Sequence, residues 1–388
     1  MYQELIEKNR KYIRSVKEYR SYKNELQKLT WWLNTSSIVT LSWLRHTGRT
    51  GLVHSMLQKT QKMEECFYYN AELDTLWGIK NKDDFIILFD LYVRIYWVPK
   101  IIVLQNMNNI EWIKQLILQL YKTKKYKIIL LWNNIQIEWV LNIELYPLGI
   151  TEDNNKNIRW GLPAVRMIPE NSYKDFLLST IKNDILLTDI VESYNIKNVS
   201  LYNNIIWFLS ENQSYSSIRE IHRNLWENQI DISHLTLIDY LSSATNTKLL
   251  SKCYRYDMKT WKEISSKVLY YFWDVWIRKS YRVTQNNFYQ NLLYLELLQK
   301  WYIVHWWINW KFIFDFYAQN WNNDFCIHIE SSSDKFEIRK TARKLAKIDS
   351  PALKYVIVEN KDNIEWMRKF EEQWVKIVEL YEFAQLIQ

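Results

Sequence analysis

Two short, unbroken apolar runs, Lys100-Ile101-Ile102-Val103-Leu104 and Lys127-Ile128-Ile129-Leu130-Leu131, constrain this chain more than any other feature. A strand with one face in water alternates apolar and polar residues. A strand that is apolar throughout must be covered on both faces, the mark of a parallel sheet between layers of helices. Further strands are expected at Ile38 to Leu41 and Cys66 to Leu73. Helices are expected at Gly51 to Lys59, at Lys82 to Tyr96 with Phe85, Leu88, Leu91 and Ile95 on one side, and at Ile110 to Tyr121. This alternation predicts an α/β sandwich with a mainly parallel sheet. Met1 to Leu29 reads as one helix packed on this domain, and Tyr146-Pro147-Leu148-Gly149 closes it.

Asp153 to Arg159 is polar and reads as a linker. Ser172 to Ser210 is helical. Two helices follow, Ser217 to Leu225 and Ser233 to Ala244, with Ser233 as N-cap, and then a strand-like run at Leu249 to Tyr256. Helix, turn, helix, strand is the order of a winged helix; a generic helical pair is the alternative. The last part reads as a helix at Asn291 to Lys300 and strands at Tyr302 to Trp306, Phe312 to Tyr317 and Phe325 to Ile329. A basic helix at Lys335 to Ala346, a strand at Leu353 to Val358 and a helical tail complete a small α/β domain.

Between the first strand and its helix stands Ser42-Trp43-Leu44-Arg45-His46-Thr47-Gly48-Arg49-Thr50-Gly51. Strand, turn and helix start is the layout of a phosphate-binding loop, G-x-x-x-x-G-K-[ST], whose backbone N–H groups surround phosphate. Gly48 and Thr50 fit the pattern. Trp43 stands at the first glycine and Arg49 at the lysine.

Glycine is the compositional anomaly. The chain has 5 Gly and 21 Trp in 388 residues, where average usage of about 7% predicts roughly 27 Gly. Glycine and tryptophan together number 26, close to that figure. Tryptophan also sits where glycine makes physical sense: Trp43, Trp160 in Arg159-Trp160-Gly161-Leu162-Pro163, the pair Trp306-Trp307, and Trp310 between two strand-like runs. Such positions favour positive φ or close backbone approach, which a bulky side chain resists. Some bacteria read UGA as glycine, and translating their genes with UGA as tryptophan leaves this pattern. The alternative is a truly tryptophan-rich, glycine-poor protein.

With 48% hydrophobic and 24% charged residues, the chain has the balance of a soluble globular protein of two or three domains. No apolar run approaches the roughly 18 residues of a membrane span. Met1 to Lys28 is charged throughout and is no signal peptide. Cys66, Cys253 and Cys326 have no metal or disulfide spacing. A cytoplasmic location without a membrane partner is expected. The net charge of +8 permits contact with DNA without demanding it.

Several segments in order carry a resemblance. Ser42 to Thr50 is similar to a G-x-R-R-x-G-K-T loop, with Arg45 kept. Leu104-Gln105-Asn106-Met107-Asn108-Asn109-Ile110 sits at L-D-E-I-Q-x-I, Trp132-Asn133-Asn134 at G-S-N, Leu145-Tyr146-Pro147-Leu148 at L-x-P-L, and Trp160-Gly161-Leu162-Pro163 at G-G-L-P. Tyr270 to Arg278 resembles K-x-Y-x-x-D-x-G-L-R. Asn291 with Tyr294, Glu296 and Leu297 resembles E-N-x-V-Y-x-E-L, Trp301-Tyr302 its G-Y, Asp315-Phe316 the end of E-I-D-F, and Cys326 to Ile329 a Q-V strand. This order resembles the prokaryotic AAA-like P-loop ATP-binding proteins that carry a C-terminal domain of unknown function with a restriction-endonuclease-like fold. The family glycines fall on Trp43, Trp132, Trp160, Trp276 and Trp301.

The resemblance implies an α/β chain in three parts. Residues 1–152 form a P-loop NTPase (AAA-like) three-layer sandwich, 153–265 a helical and winged-helix region, and 266–388 an α/β restriction-endonuclease-like domain. It implies ATP and Mg2+ as cofactors, held by Trp43, Arg45, Thr47, Gly48, Arg49, Thr50 and Gly51, with Asn134 as a sensor and Thr50 as the metal-binding hydroxyl. Hydrolysis also needs an acidic pair at the next strand end. Gln105 offers no charged oxygen to magnesium, and Asn106 cannot take a proton from water. Arg49 keeps the charge of a lysine with a longer, planar fork. The arginine finger expected near Glu138-Trp139-Val140 is missing. The expectation is a nucleotide-binding protein with impaired or absent hydrolysis. A non-catalytic DNA-binding or scaffold protein on the same fold is the alternative, and an active nuclease the third reading.

Nuclease chemistry on such a fold uses an Asp on one strand and Glu-x-Lys on the next. Asp315 is a first ligand in position, and His328-Ile329-Glu330 is followed by serines where the lysine belongs, so Asp315 and His328 are read as vestigial. The second helix of the winged-helix candidate, Ser233 to Ala244, carries no Lys or Arg and contains Asp239, a poor major-groove reader. Arg219, Arg223, Lys248, Lys252 and Arg255 are the residues placed to touch phosphates. AAA-like sites often lie at subunit interfaces, which adds a homo-oligomer to the partners to be tested.

Overall fold

The computed structural model describes residues 2–16, 23–35, 37–42, 44–74, 79–107, 112–132, 140–152, 158–166, 168, 171–212, 217–260, 262–281, 288–309, 312–331, 334–358 and 375–387. The chain divides into two compact units, Met1–Leu145 and Tyr146–Gln388.

The first unit runs α1 (Tyr2–Ser15), α2 (Lys23–Thr35), β1 (Ile38–Ser42), α3 (Arg49–Lys59), β2 (Cys66–Asn70), α4 (Lys82–Tyr96), β3 (Ile101–Gln105), α5 (Ile113–Lys122), β4 (Lys127–Leu131) and β5 (Leu141–Glu144). Its five strands pair in parallel in the order β2-β3-β4-β1-β5. The unbroken apolar runs are explained by what covers them. Val39, Leu41, Val103, Ile129 and Leu131 face α2 and α3, through Leu29, Leu33, Leu52 and Met56. Ile38, Ile102, Leu104, Ile128 and Leu130 face α4 and α5, through Phe85, Leu88, Leu116 and Ile117. These apolar strand residues are therefore covered by helices on both faces of the sheet, and the unit is a three-layer sandwich. The edge strand β2 is guarded by α1: the Asn70 N–H donates to Asn9 Oδ1 at 2.8 Å, and the Arg10 guanidinium stacks on Tyr96 at 3.9 Å.

The second unit begins with a hairpin, β6 (Leu148–Glu152) and β7 (Ile158–Gly161), so part of the expected linker Asp153 to Arg159 is strand. A helical run follows: α6 (Pro163–Arg166), α7 (Asn171–Asp184) continuing as a π-helical stretch Ile185–Glu192, α8 (Val199–Glu211), α9 (Ile218–Glu227) and α10 (His234–Asn246). Ser233 caps α10 as expected, accepting from Thr236 N. The chain then runs β8 (Leu250–Asp257), β9 (Lys262–Phe272), α11 (Val275–Lys279), α12 (Phe288–Gln299), β10 (Ile303–Asn309), β11 (Phe312–Gln319), β12 (Asp324–Glu330), α13 (Lys335–Ala346), β13 (Leu353–Val358), β14 (Val375–Glu379) and α14 (Leu380–Leu386).

These strands form one mixed sheet, β14-β13-β12-β11-β10-β8-β9. One expectation is corrected here. The chain's end is not helical throughout: Val375–Glu379 pairs in parallel with β13, and its Val375 and Ile377 join the core that Ile338, Ala342 and Leu345 of α13 cover. The hairpin β8–β9 crosses position 265, and β8 pairs in parallel with β10 at Arg255–Trp306 and Tyr256–Trp307, so it is a member of this sheet. Among the described residues no helix is long and apolar enough to cross a membrane.

Candidate functional site

The strand order of the first unit locates its site. β1 and β4 are neighbours, yet the chain leaving β1 returns at β2 on the far edge, while the chain leaving β4 passes to β5 on the other side of β1. Diverging connections open a crevice at the carboxyl ends of the strands, where open α/β sheets bind ligands. The segment after β1 lies there. Gly48 takes φ 98° and ψ 24° at the N-cap of α3, a left-handed conformation that glycine adopts at little cost. The Leu52 N–H donates to Gly48 O at 3.0 Å, and the Thr47 hydroxyl closes the loop on Leu44 O at 3.0 Å. Arg49 and Gly51 are buried in the first turn of α3. Arg45 forms an ion pair with Glu72, just past β2, at 2.8 Å. Strand, turn, left-handed glycine and helix start thus follow one another as in the layout of a phosphate-binding loop.

The structure brings Thr50 and Gln105 together. The Thr50 hydroxyl donates to Gln105 Oε1 at 3.2 Å, and the Tyr68 hydroxyl donates to the same oxygen at 2.6 Å. Burial holds the Tyr68 hydroxyl well above its ordinary pKa, with the Tyr12, Cys66 and Glu72 charges acting the same way and Arg49 opposing. It therefore remains a donor. Tyr12 from α1 stacks on Tyr68 at 5.9 Å. Burial raises the Tyr12 pKa, and its hydrogen bond with Thr50 pulls the other way. Asn106 sits at φ 57°, donating through Nδ2 to Asn70 Oδ1 at 3.2 Å and through its backbone N–H to Leu131 O at 3.1 Å.

This set does not fit a magnesium ion. A protein usually holds magnesium through one or two carboxylates, together with substrate phosphates and waters. Gln105 Oε1 is neutral and already accepts two hydroxyl hydrogens. Asn106 is an amide bonded to another amide. Among the described residues no group of three or more His, Cys, Asp or Glu is gathered for a metal. Trp43, Asn134 and the segment at Glu138-Trp139 lie outside the described residues.

Tyr12, Tyr68 and Glu72 were not singled out from sequence. Tyr68 carries one signal, its place two residues before the end of an edge strand; the other two come from elements whose approach is tertiary.

In the second unit, Asp315 on β11 and His328 on β12 meet at 2.8 Å as an ion-pair contact, and Asp315 Oδ2 accepts from the Ile329 N–H at 2.7 Å. Burial pulls the His328 pKa down, but the Asp315 charge and hydrogen bond, with Glu330, more than offset it and the pKa is raised. Glu330 accepts from the Thr341 hydroxyl of α13 at 2.8 Å. The other motif residues hold the fold. Asp274 Oδ1 caps α11 by accepting from Ile277 N at 2.9 Å. Arg278 Nε donates to Ser210 O at 2.9 Å. Asn291 clamps the end of β9 through Phe272 N and O at 2.9 and 2.7 Å. Glu296 accepts from Ile150 N at 2.7 Å.

The basic residues near the helical pair are scattered. Arg219 and Lys252 are exposed. Arg223 lies 3.8 Å from Glu227. Lys248 sits over the Trp273 ring at 5.0 Å, and Arg255 over Trp306 at 5.8 Å.

No family model matches this chain. It is similar to an uncharacterized protein of Haemophilus influenzae, 22% identical over 320 residues that cover 73% of this chain and 80% of that one. It is also similar to an uncharacterized protein of Methanocaldococcus jannaschii, 26% identical over 175 residues, 44% of this chain and 38% of that one. Among solved structures it is similar to a Walker-type ATPase of Pyrococcus abyssi, with TM-score 0.44 and 11% identity over 70% of this chain and 99% of that one. A second is the Drosophila ORC bound to AT-rich DNA and Cdc6, with TM-score 0.20 and 15% identity over 69% of this chain and 90% of that one.

Proposed function

We propose that the first unit binds a nucleoside polyphosphate at the Thr47–Gly51 turn and does not hydrolyse it. The observation that carries this reading is the shared acceptor: Thr50 and Tyr68 both donate to Gln105 Oε1, at 3.2 and 2.6 Å. The loop keeps its left-handed glycine, a helix N-terminus and the cation of Arg49, which suit phosphate. The two positions that hold magnesium and activate water in phosphoryl transfer are neutral amides, Gln105 and Asn106. Steady-state ATP turnover above a protein-free blank, abolished by Thr50→Ala, would overturn the proposal. In the competing reading, a non-catalytic DNA-binding or scaffold protein, Arg219, Arg223 and Lys252 contact phosphates. Salt-dependent duplex binding without nucleotide binding would favour it.

We also infer that glycine stands at several tryptophan positions in the living protein. Two backbones support this. Trp97, 85% exposed, has φ 75° and ψ 171°, a region that is essentially glycine-only. Trp301 has φ 67° and ends α12, with Trp301 N donating to Leu298 O and Tyr302 N to Leu297 O, both at 3.0 Å. That is a Schellman motif with tryptophan at the usual glycine position. The indole N–H groups of Trp132, Trp306 and Trp307 are buried without a hydrogen-bond partner, and a Cβ on Gly161 would lie 2.3 Å from the Trp276 ring. UGG codons at these positions would end this account; UGA codons and glycine in the purified protein's peptide masses would support it.

A further inference from the structure

The opposite end of the first sheet carries a second feature, unrelated to the phosphate loop. A cavity of about 260 Å³ opens where β3 and β4 begin, walled by α2, the end of α3 and the turn before β2. Lys62, Lys100, Lys125 and Lys127 all line it, together with Asn34 and Thr30. Its remaining walls are mainly apolar, Leu33, Met56 and Ile101, and these three are buried in the core. Among the described residues no carboxylate lines it. Lys100 also pairs with Glu65 at 2.5 Å.

The fold imposes this convergence. β3 and β4 are parallel and in register, Ile101 opposite Lys127, so the lysines that open both strands come to one edge. Lys62 is brought to the same edge by the turn that returns α3 to β2, closed by the Lys62 N–H to Leu57 O bond at 2.9 Å. Lysines gathered around one cavity make it attractive to an anion. Ammonium groups are compact point charges suited to phosphate. A solvated basic surface has no reason to enclose a cavity over apolar side chains.

We propose that this cavity binds a small phosphate monoester, its phosphate among Lys62, Lys100, Lys125 and Lys127 and its organic part against Leu33, Met56 and Ile101. The volume lies just under the roughly 300–1,000 Å³ of ordinary ligand pockets, which suits a single phosphate ester. A nucleic-acid backbone would call for a stripe of cations across an open face. The cavity and the phosphate loop sit at the two ends of β3, about 13 Å apart along the strand at 3.3 Å per residue, so the two sites are separable by mutation.

The test is isothermal titration of the full chain with adenosine 5′-monophosphate, with inorganic phosphate and a single-stranded DNA 20-mer as competitors. Lys62→Glu/Lys125→Glu, both at exposed residues, should weaken binding at least tenfold, and Lys125→Ala alone should weaken it measurably with an unchanged melting curve. Arg49→Ala at the phosphate loop should leave this binding within twofold. Inorganic phosphate should compete, and rising salt should weaken the complex. Absence of binding, binding unchanged in both lysine variants, binding lost in Arg49→Ala, or displacement by the 20-mer at lower phosphate concentration than by inorganic phosphate would each overturn the proposal. The last result would point to nucleic acid instead.

Discussion

The Thr50 hydroxyl donates to Gln105 Oε1 at 3.2 Å, joining the turn after β1 to the end of β3 through an acceptor that carries no charge. Tyr68 completes the arrangement from β2 at 2.6 Å. In the proposed reading this is where a carboxylate would help to hold a metal, and the acceptor here is an uncharged amide. Gln105→Glu returns that charge with nearly the same shape. The variant should accept the same two hydroxyls and make nucleotide binding magnesium-dependent, at least tenfold tighter with the metal than with chelator, or about 1.4 kcal/mol. An unchanged ratio would mean that other groups exclude the metal.

Tyr68→Phe removes one of the two donors to Gln105 from a site that is nearly closed to water, since Tyr68 is 3% and Gln105 7% exposed. The expected loss is about 1 kcal/mol of stability, the net worth of one such bond, read as a lower urea midpoint with unchanged slope. A stability gain would show that the bond is not formed in solution.

Asp274 supplies a pH dependence. Burial raises its pKa from 3.8 to about 6, against the hydrogen bonds from Ile277, Trp276 and Leu162 that favour its charged form. The folded state thus prefers the protonated acid. Its contribution is full below about pH 3.8, where the acid is protonated folded or unfolded, and is lost as pH rises through about 6. The two-unit difference corresponds to about 3 kcal/mol. Asp274→Asn keeps a good N-cap for α11 and removes the titration. Between pH 4 and 7 the native chain should lose stability relative to this variant; parallel stability curves would contradict the assignment.

Trp97→Gly and Trp301→Gly should each stabilise the protein by about 1–3 kcal/mol, the cost of holding a bulky residue at such backbone angles. Both side chains are exposed, so little packing is lost. Denaturant midpoints that fall in both variants would remove the structural support for glycine at these positions.

The parts of the fold legible in the sequence are those written in local pattern. Ile101 to Leu104 and Lys127 to Leu131 were strands because nothing polar interrupts them, and Lys335–Ala346 was a helix because its apolar face repeats at helical spacing. β9 was not legible. Ser265, Ser266 and Lys267 break its alternation, and its partner β8 is set by tertiary pairing. β14 hid in five residues whose strand state depends on the neighbouring β13. At the site, the meeting of Thr50 and Gln105 could be expected from the order strand, loop, helix, strand. The Tyr12 and Tyr68 hydroxyls and the Arg45–Glu72 pair could not, because each joins elements that only the packed sandwich brings together.

In the proposed function the Thr47–Gly51 turn holds nucleotide without a metal. Equilibrium titration of the full chain with ATP, once in magnesium and once in excess chelator, tests it most directly. The account predicts saturable binding of similar affinity in both, weakened by Arg49→Ala. Binding that requires magnesium, or no binding in either condition, would contradict it.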